Sequence, residues 1–190
     1  MIFSSYHFLV LYPYFLLTYY LYSNKNYQNF LLILFSIYFI SYLHYKHFLV
    51  FLFFFVIFLF TVRFLHFLKN KVLIFGVSLI VITFLFFKTY SIFGLITINL
   101  ITKDYYLFFP LAISFYVFQM IGGLIDTSRG DNTKTFSFKD YLLFFIFFPQ
   151  LVAGPICRIK NLIPQFLVNR KLNKRNIFVG TNLILIGLFK

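Results

Sequence analysis

Charge spacing constrains this chain more than any other feature. Met1–Asn24, Asn26–Tyr45 and Tyr105–Ile125 contain no Lys, Arg, Asp or Glu, and each reaches the roughly 20 apolar residues that a membrane-spanning helix needs. His47–Val62 and Val72–Phe87 are 16 residues each, short but able to span when flanking Lys and Arg snorkel to the interface. Thr89–Thr102 has 14 residues with Gly94, Thr97 and Asn99 among them, and reads as a loop or an interfacial segment. The first run has no preceding basic residue and no small-residue cleavage site after it, so it reads as a retained anchor rather than a leader.

Composition agrees. Apolar residues make up 62% and charged residues 11%, against about 45–50% and about 25% in soluble domains. The 33 Phe and 15 Tyr exceed what one small aqueous core can bury. A net charge of +13 could signal nucleic acid, but the cations sit singly or in clusters between apolar runs, as in basic membrane loops. The single cysteine, Cys157, excludes an intrachain disulfide framework and a multi-Cys metal site. The expected class is an all-α polytopic membrane protein of five to six transmembrane helices, a single membrane domain over residues 1–190.

Tyr141–Cys157 departs from the plain pattern. Pro149, Gly154 and Pro155 break its apolar run, removing backbone donors and freeing carbonyls that lipid cannot satisfy. Such a segment reads as re-entrant, entering and leaving on one side. Charge counting supports this. If the segment crossed, the two sides would hold seven and nine basic residues; if it returns, the split becomes thirteen against three, the asymmetry expected of cytoplasmic loops. On this reading the N-terminus lies outside the cytoplasm and residues 1–125 form transmembrane helices with short loops. Residues 126–176 are cytoplasmic loops flanking the re-entrant segment 141–157, and 177–190 begin a further helix.

Polar residues at membrane depth are candidates for function. Ser114 and Gln119 lie inside a span, where they bond another helix or face a water-filled path. Asp126 and Arg129, three apart at a helix end, suit an interfacial ion pair. Pro149, Gln150, Gly154, Pro155 and Arg158 place an amide and a permanent cation beside broken backbone, suiting either an architectural turn or a tunnel. His7, His44, His47 and His66 read as interfacial or packing residues, and no metal site is expected.

Phe109-Pro-Leu-Ala-Ile-Ser-Phe-Tyr116, Ile125-Asp-x-x-Arg-Gly130 and Phe148-Pro-Gln-Leu-Val-Ala-Gly-Pro-Ile-x-Arg158, in that order and spacing, resemble the membrane-bound O-acyltransferase (MBOAT) family. The likeness is to its bacterial branch of alginate O-acetylation and D-alanyl transfer components. The ends, Met1-Ile-Phe-Ser-Ser and Leu185-Ile-Gly-Leu-Phe-Lys190, match it more weakly. Cys157 stands where the branch has an aliphatic residue, a change affecting packing.

The resemblance implies a partial MBOAT-type fold in a bacterial inner membrane. There, helices ring a tunnel that carries an acyl group, acetyl in the alginate case, from a cytoplasmic donor to an exported or envelope polysaccharide. It implies no bound cofactor, a donor such as acyl-CoA or acyl carrier protein, lipid contacts, an extracytoplasmic acyltransferase partner and no nucleic acid. The family's catalytic histidine belongs to a Trp-Arg-x-x-His stretch in the second half of a much longer chain. Neither that stretch nor any Trp occurs here, so the chain reads as an N-terminal portion inactive alone, with no catalytic residue of its own. Arg158, Lys160 and the Arg170–Arg175 cluster suit an anionic donor and anionic lipid equally. A non-catalytic transport or scaffold protein, or an inactive fragment, remains the alternative. For topology, reporters fused after Lys139 and after Arg175 should both read cytoplasm and one near Asn99 the outside; opposite sides for the first two would restore a full crossing.

Overall fold

A backbone surrounded by lipid must close its hydrogen bonds within each segment, which favours helices over open strands. The computed structural model describes residues 6–42, 45–65, 69–101, 113–129, 136–153 and 157–189, with backbone alone for residues 9, 69, 90–101, 152, 153 and 188. Its elements are helices: α1 (Tyr6–Leu21), α2 (Lys25–Ser41), α3 (Tyr45–Phe64), α4 (Lys69–Ile101), α5 (Ile113–Ser128), α6 (Phe138–Ile146), α7 (Phe148–Ala153), α8 (Ile159–Phe166) and α9 (Lys174–Phe189). No strand occurs among the described residues. Tyr45–Phe64 and Asn70–Thr89 are long and apolar enough to cross a membrane.

Helix boundaries follow local chemistry. Asn24 caps α2 by accepting the Asn26 N–H at 2.9 Å. Ser137 and Asp140 form a reciprocal capping box at the start of α6, satisfying donors that have no partner in the helix.

The central element is α3, packed against α2, α4 and α5. It buries Phe51, Phe54, Phe55 and Phe58, a stripe at helical spacing. Phe51 meets Tyr116 edge-on with centroids 5.5 Å apart, and Phe58 meets Phe145 at 4.7 Å, a geometry that adds to simple burial. Against α4 the approach is closer still: a Cβ added to Gly76 would collide with the Thr61 side chain.

Three expectations from the sequence are corrected. Thr89–Thr102 is not a loop as far as it is described, because α4 runs on to Ile101. The single charge at Lys88 does not stop a helix, and Gly94, Thr97 and Asn99 only lower propensity. At 33 residues α4 is about 50 Å long, well beyond the roughly 30 Å hydrocarbon core. Nor is 126–176 only loop around the broken segment. Ile159, Ile163 and Phe166 are buried along one face of α8, a 3.6-residue period in an otherwise polar stretch. The last helix starts at Lys174, three residues before the expected 177.

The segment after α8 folds back onto the start of α2. Gln28, fully buried, donates from Nε2 to the Arg170 carbonyl at 2.7 Å and accepts from the Arg170 N–H at 3.1 Å and Nε at 3.3 Å. Asn29 Nδ2 donates to the Phe166 carbonyl at 3.0 Å, and its Oδ1 accepts from Arg170 Nη2. The Lys25 N–H reaches Asn169 Oδ1 at 2.9 Å. Arg170 is thus tied into the fold, apart from the exposed Lys171, Lys174 and Arg175 with which the sequence groups it. Burial lowers its pKa, but a guanidinium stays charged.

Two outcomes test this packing. Gly76→Ala should cost about 1–3 kcal/mol by overpacking, with Thr61→Ala recovering most of it in a double-mutant cycle by thermal unfolding in detergent. Gln28→Ala should cost about 1–3 kcal/mol, because it leaves the Arg170 backbone unsatisfied. Gln165→Ala, which loses only a bond within α8, should shift stability by less than about 0.5 kcal/mol.

Candidate functional site

α6 stops after nine residues. Pro149 has no N–H for the Phe145 carbonyl, and Phe147 leaves helical conformation at ψ 105°. The chain then resumes as α7 with Pro149 in its first turn, where a missing donor is tolerated. Two interactions seal the break. The Phe148 N–H donates to Ser36 Oγ of α2 at 3.3 Å, and the Gln150 N–H to the Phe147 carbonyl at 3.0 Å. The Phe148 ring is enclosed by Phe8, Tyr12, Phe15, Phe35, Phe39 and Phe147.

Beside this sealed face the structure opens a cleft of about 360 Å³. α5 contributes Gln119, Gly122, Gly123, Ile125 and Asp126, followed by Arg129; Phe144 of α6 and the turn Cys157-Arg158-Ile159 complete the wall. Gln119 and Arg129 are ten residues apart, so the cleft extends about 15 Å along α5. Its polar composition is graded. Arg129 and Arg158 are exposed, Asp126 is half-buried, and Gln119 is 4% exposed with no partner for Oε1. Two guanidinium groups against one carboxylate leave the cleft net positive.

The two glycines serve different ends. A Cβ on Gly123 would lie 2.7 Å from Ile159 Cδ1 and 3.3 Å from Phe58 Cε2, so its absence lets α3, α5 and α8 converge. A Cβ on Gly122 would touch nothing within 4 Å, so its absence keeps the cleft wide.

Of the residues singled out in the sequence, Gln119, Asp126, Arg129 and Arg158 share this cleft. Asp126 and Arg129 were expected to pair; among the described residues no salt bridge joins them, and both face the same opening instead. Gln150 is buried in α7 with neither amide atom bonded, and Pro149 is half-buried. Ser114 is half-buried in α5. Gly154 and Pro155 lie outside the described residues, as do His44 and His66. His7 is exposed on α1 against Tyr6 and Tyr42, and His47 is buried in the first turn of α3; neither lines the cleft.

Sequence reasoning missed Gln28, Ser36 and the Gly122-Gly123 pair. Their signal was present, since each is a polar or small residue inside an apolar helix. It also missed Tyr116, whose hydroxyl is buried without a partner.

No family model matches the chain, and no solved structure matches. Among curated proteins, the peptidoglycan O-acetyltransferase of Helicobacter pylori is 40% identical over 135 residues, covering 55% of this chain and 25% of that protein. The probable alginate O-acetylase AlgI of Pseudomonas putida is 36% identical over 99 residues, 48% of this chain and 20% of its own length. That of Azotobacter vinelandii is 37% identical over 89 residues, 43% and 18%. The chain therefore spans a quarter or less of the length of these relatives. Identity at this level agrees with the motifs and with the helical architecture of the described residues: over the matched residues the chain is similar to bacterial peptidoglycan and alginate O-acetyltransferases, in keeping with its resemblance to the membrane-bound O-acyltransferase family.

Proposed function

We propose that this chain forms the N-terminal part of a membrane-bound O-acetyltransferase of a bacterial inner membrane, acting on peptidoglycan or an alginate-like exported polysaccharide. In this reading it builds the cytoplasmic mouth of the acyl pathway. The observation that carries it is the cleft in which Gln119, Asp126, Arg129 and Arg158 meet beside the broken helix.

The reaction class is acyl transfer from a thioester to a hydroxyl. The ester C–O bond forms as the C–S bond breaks, and the hydroxyl proton passes through a general base to the leaving thiolate. Among the described residues no histidine lines the cleft; in this reading the base comes from another part of the fold and this portion alone is inactive. The roles of its own residues are binding and positioning. Arg129 and Arg158 attract an anionic donor such as acyl-CoA or acyl carrier protein, Gln119 offers an acceptor within the cleft, and Gly122 leaves room for the passing group. In this reading an extracytoplasmic acyltransferase takes part on the far side as a partner of the complete protein.

Topology follows the same reading. A crossing by the broken segment would separate Arg129 from Arg158, and Lys25 from Asn169, by the bilayer thickness of about 30 Å. The first two line one cleft and the second two are hydrogen-bonded. α6, at nine residues, is about 14 Å long, and its break meets Ser36, eleven residues into α2 from Lys25, a similar depth. These contacts support a re-entrant segment; the thirteen-to-three split of basic residues supports an N-terminus outside the cytoplasm, and the apolar runs support five to six spans.

In membranes holding this chain with the rest of the fold, Arg158→Ala, Gln119→Ala and Gln150→Ala should each lower acetyl transfer about tenfold to a hundredfold, with membrane abundance nearly unchanged. Parallel loss of protein and activity would favour a purely architectural motif. The 190-residue chain alone should insert without transferring acetyl. Transfer by it that vanishes on replacing His7, His44, His47 or His66 would overturn the assignment of the base.

A further inference from the structure

A second cavity, of about 280 Å³, lies on the opposite side of the broken helix, between α1, α2 and the α7–α8 region. Its walls include Tyr12, Phe15, Leu16, Leu162 and Phe166, and it also reaches Phe148 and Arg170. Arg170 marks one end, with its guanidinium carbon 5.5 Å from the Tyr19 ring and 5.9 Å from that of Phe166. From Tyr19 to Tyr12 the cavity follows α1 for two turns, about 10 Å, towards the Phe148 ring at the break.

The guanidinium is half-buried, and its hydrogen bonds go to neutral acceptors, Gln28 and Asn29. Among the described residues no carboxylate pairs with it. A partly buried cation without a counter-ion is costly and favours an anion. Exposed Lys25, Lys171, Lys174 and Arg175 add positive charge around it. The rest of the cavity is aromatic and aliphatic. An anionic head on an apolar tail fits both ends, whereas a packed helix, about 10 Å across, is too wide for this volume and free phosphate leaves the apolar part bare.

We propose that this cavity binds an anionic phospholipid, its phosphate on Arg170 and one acyl chain along Tyr12, Phe15 and Leu16 towards the helix break. The bound chain backs the Phe148 face, opposite the polar cleft.

The chain has no tryptophan, so Tyr12→Trp places the sole indole in the cavity wall. The full chain carrying it is reconstituted in mixed phosphatidylglycerol–phosphatidylcholine vesicles, with mid-chain bromine on one lipid or the other. Brominated phosphatidylglycerol should quench at about fivefold lower mole fraction than brominated phosphatidylcholine. Adding Arg170→Gln should abolish the preference. So should Leu162→Phe, which narrows the cavity and leaves the Gln28–Arg170 bonds in place, and which keeps the test valid where Arg170→Gln does not fold. Equal quenching by the two lipids overturns the proposal, as does a preference that survives Leu162→Phe. Loss of the preference on adding inorganic phosphate would reassign the site to a free anion and also overturn it.

Discussion

A helix that stops inside an apolar environment must find new partners for its freed backbone groups, and here a single hydroxyl supplies the decisive one. Ser36 Oγ accepts the Phe148 N–H, so α2 closes the break at Pro149. The bond positions α7 against α2 and holds Phe148 inside its aromatic cage. Without that partner the buried amide would carry an uncompensated desolvation cost.

The broken segment consequently has two unlike sides. Towards α1 and α2 it is packed with rings and bounded by the Gln28–Arg170 bonds. Towards α5 it borders a positive cleft whose depth is set by helix geometry and whose width is set by Gly122. Gly123, one residue on, lets Ile159 reach the helix surface. Adjacent glycines on one helix thus give contact on one face and space on the next, because successive residues are rotated by about 100°.

Much of this was readable before the structure. Charge-free runs identify α1, α2, α3 and the first part of α4, since a chain in lipid has little alternative to helix. Pro149 and the polar residues of the Phe148–Arg158 motif mark the break. Other features were misread because the signal was local and weak. Lys88 looked like a boundary, although one exposed lysine interrupts no backbone bond. Basic residues hid the period of Ile159, Ile163 and Phe166. Arg170 looked like one more loop cation because sequence does not show that Gln28, 142 residues earlier, lies beneath it.

The amino-acid sequence alone determines that the chain is helical, where its apolar runs lie, and that a helix fails at Pro149, because these follow from side-chain transfer energies and from a missing N–H within a few residues. Tertiary structure decides which polar groups are spent and which stay available. Arg170 is held by Gln28 and Asn29, Ser36 is taken by Phe148, and Gln119, Asp126, Arg129 and Arg158 are brought to one cleft without pairing. Such pairings depend on how separate helices are juxtaposed, and hydrogen bonds and Coulomb attraction act only over the few ångströms that packing establishes.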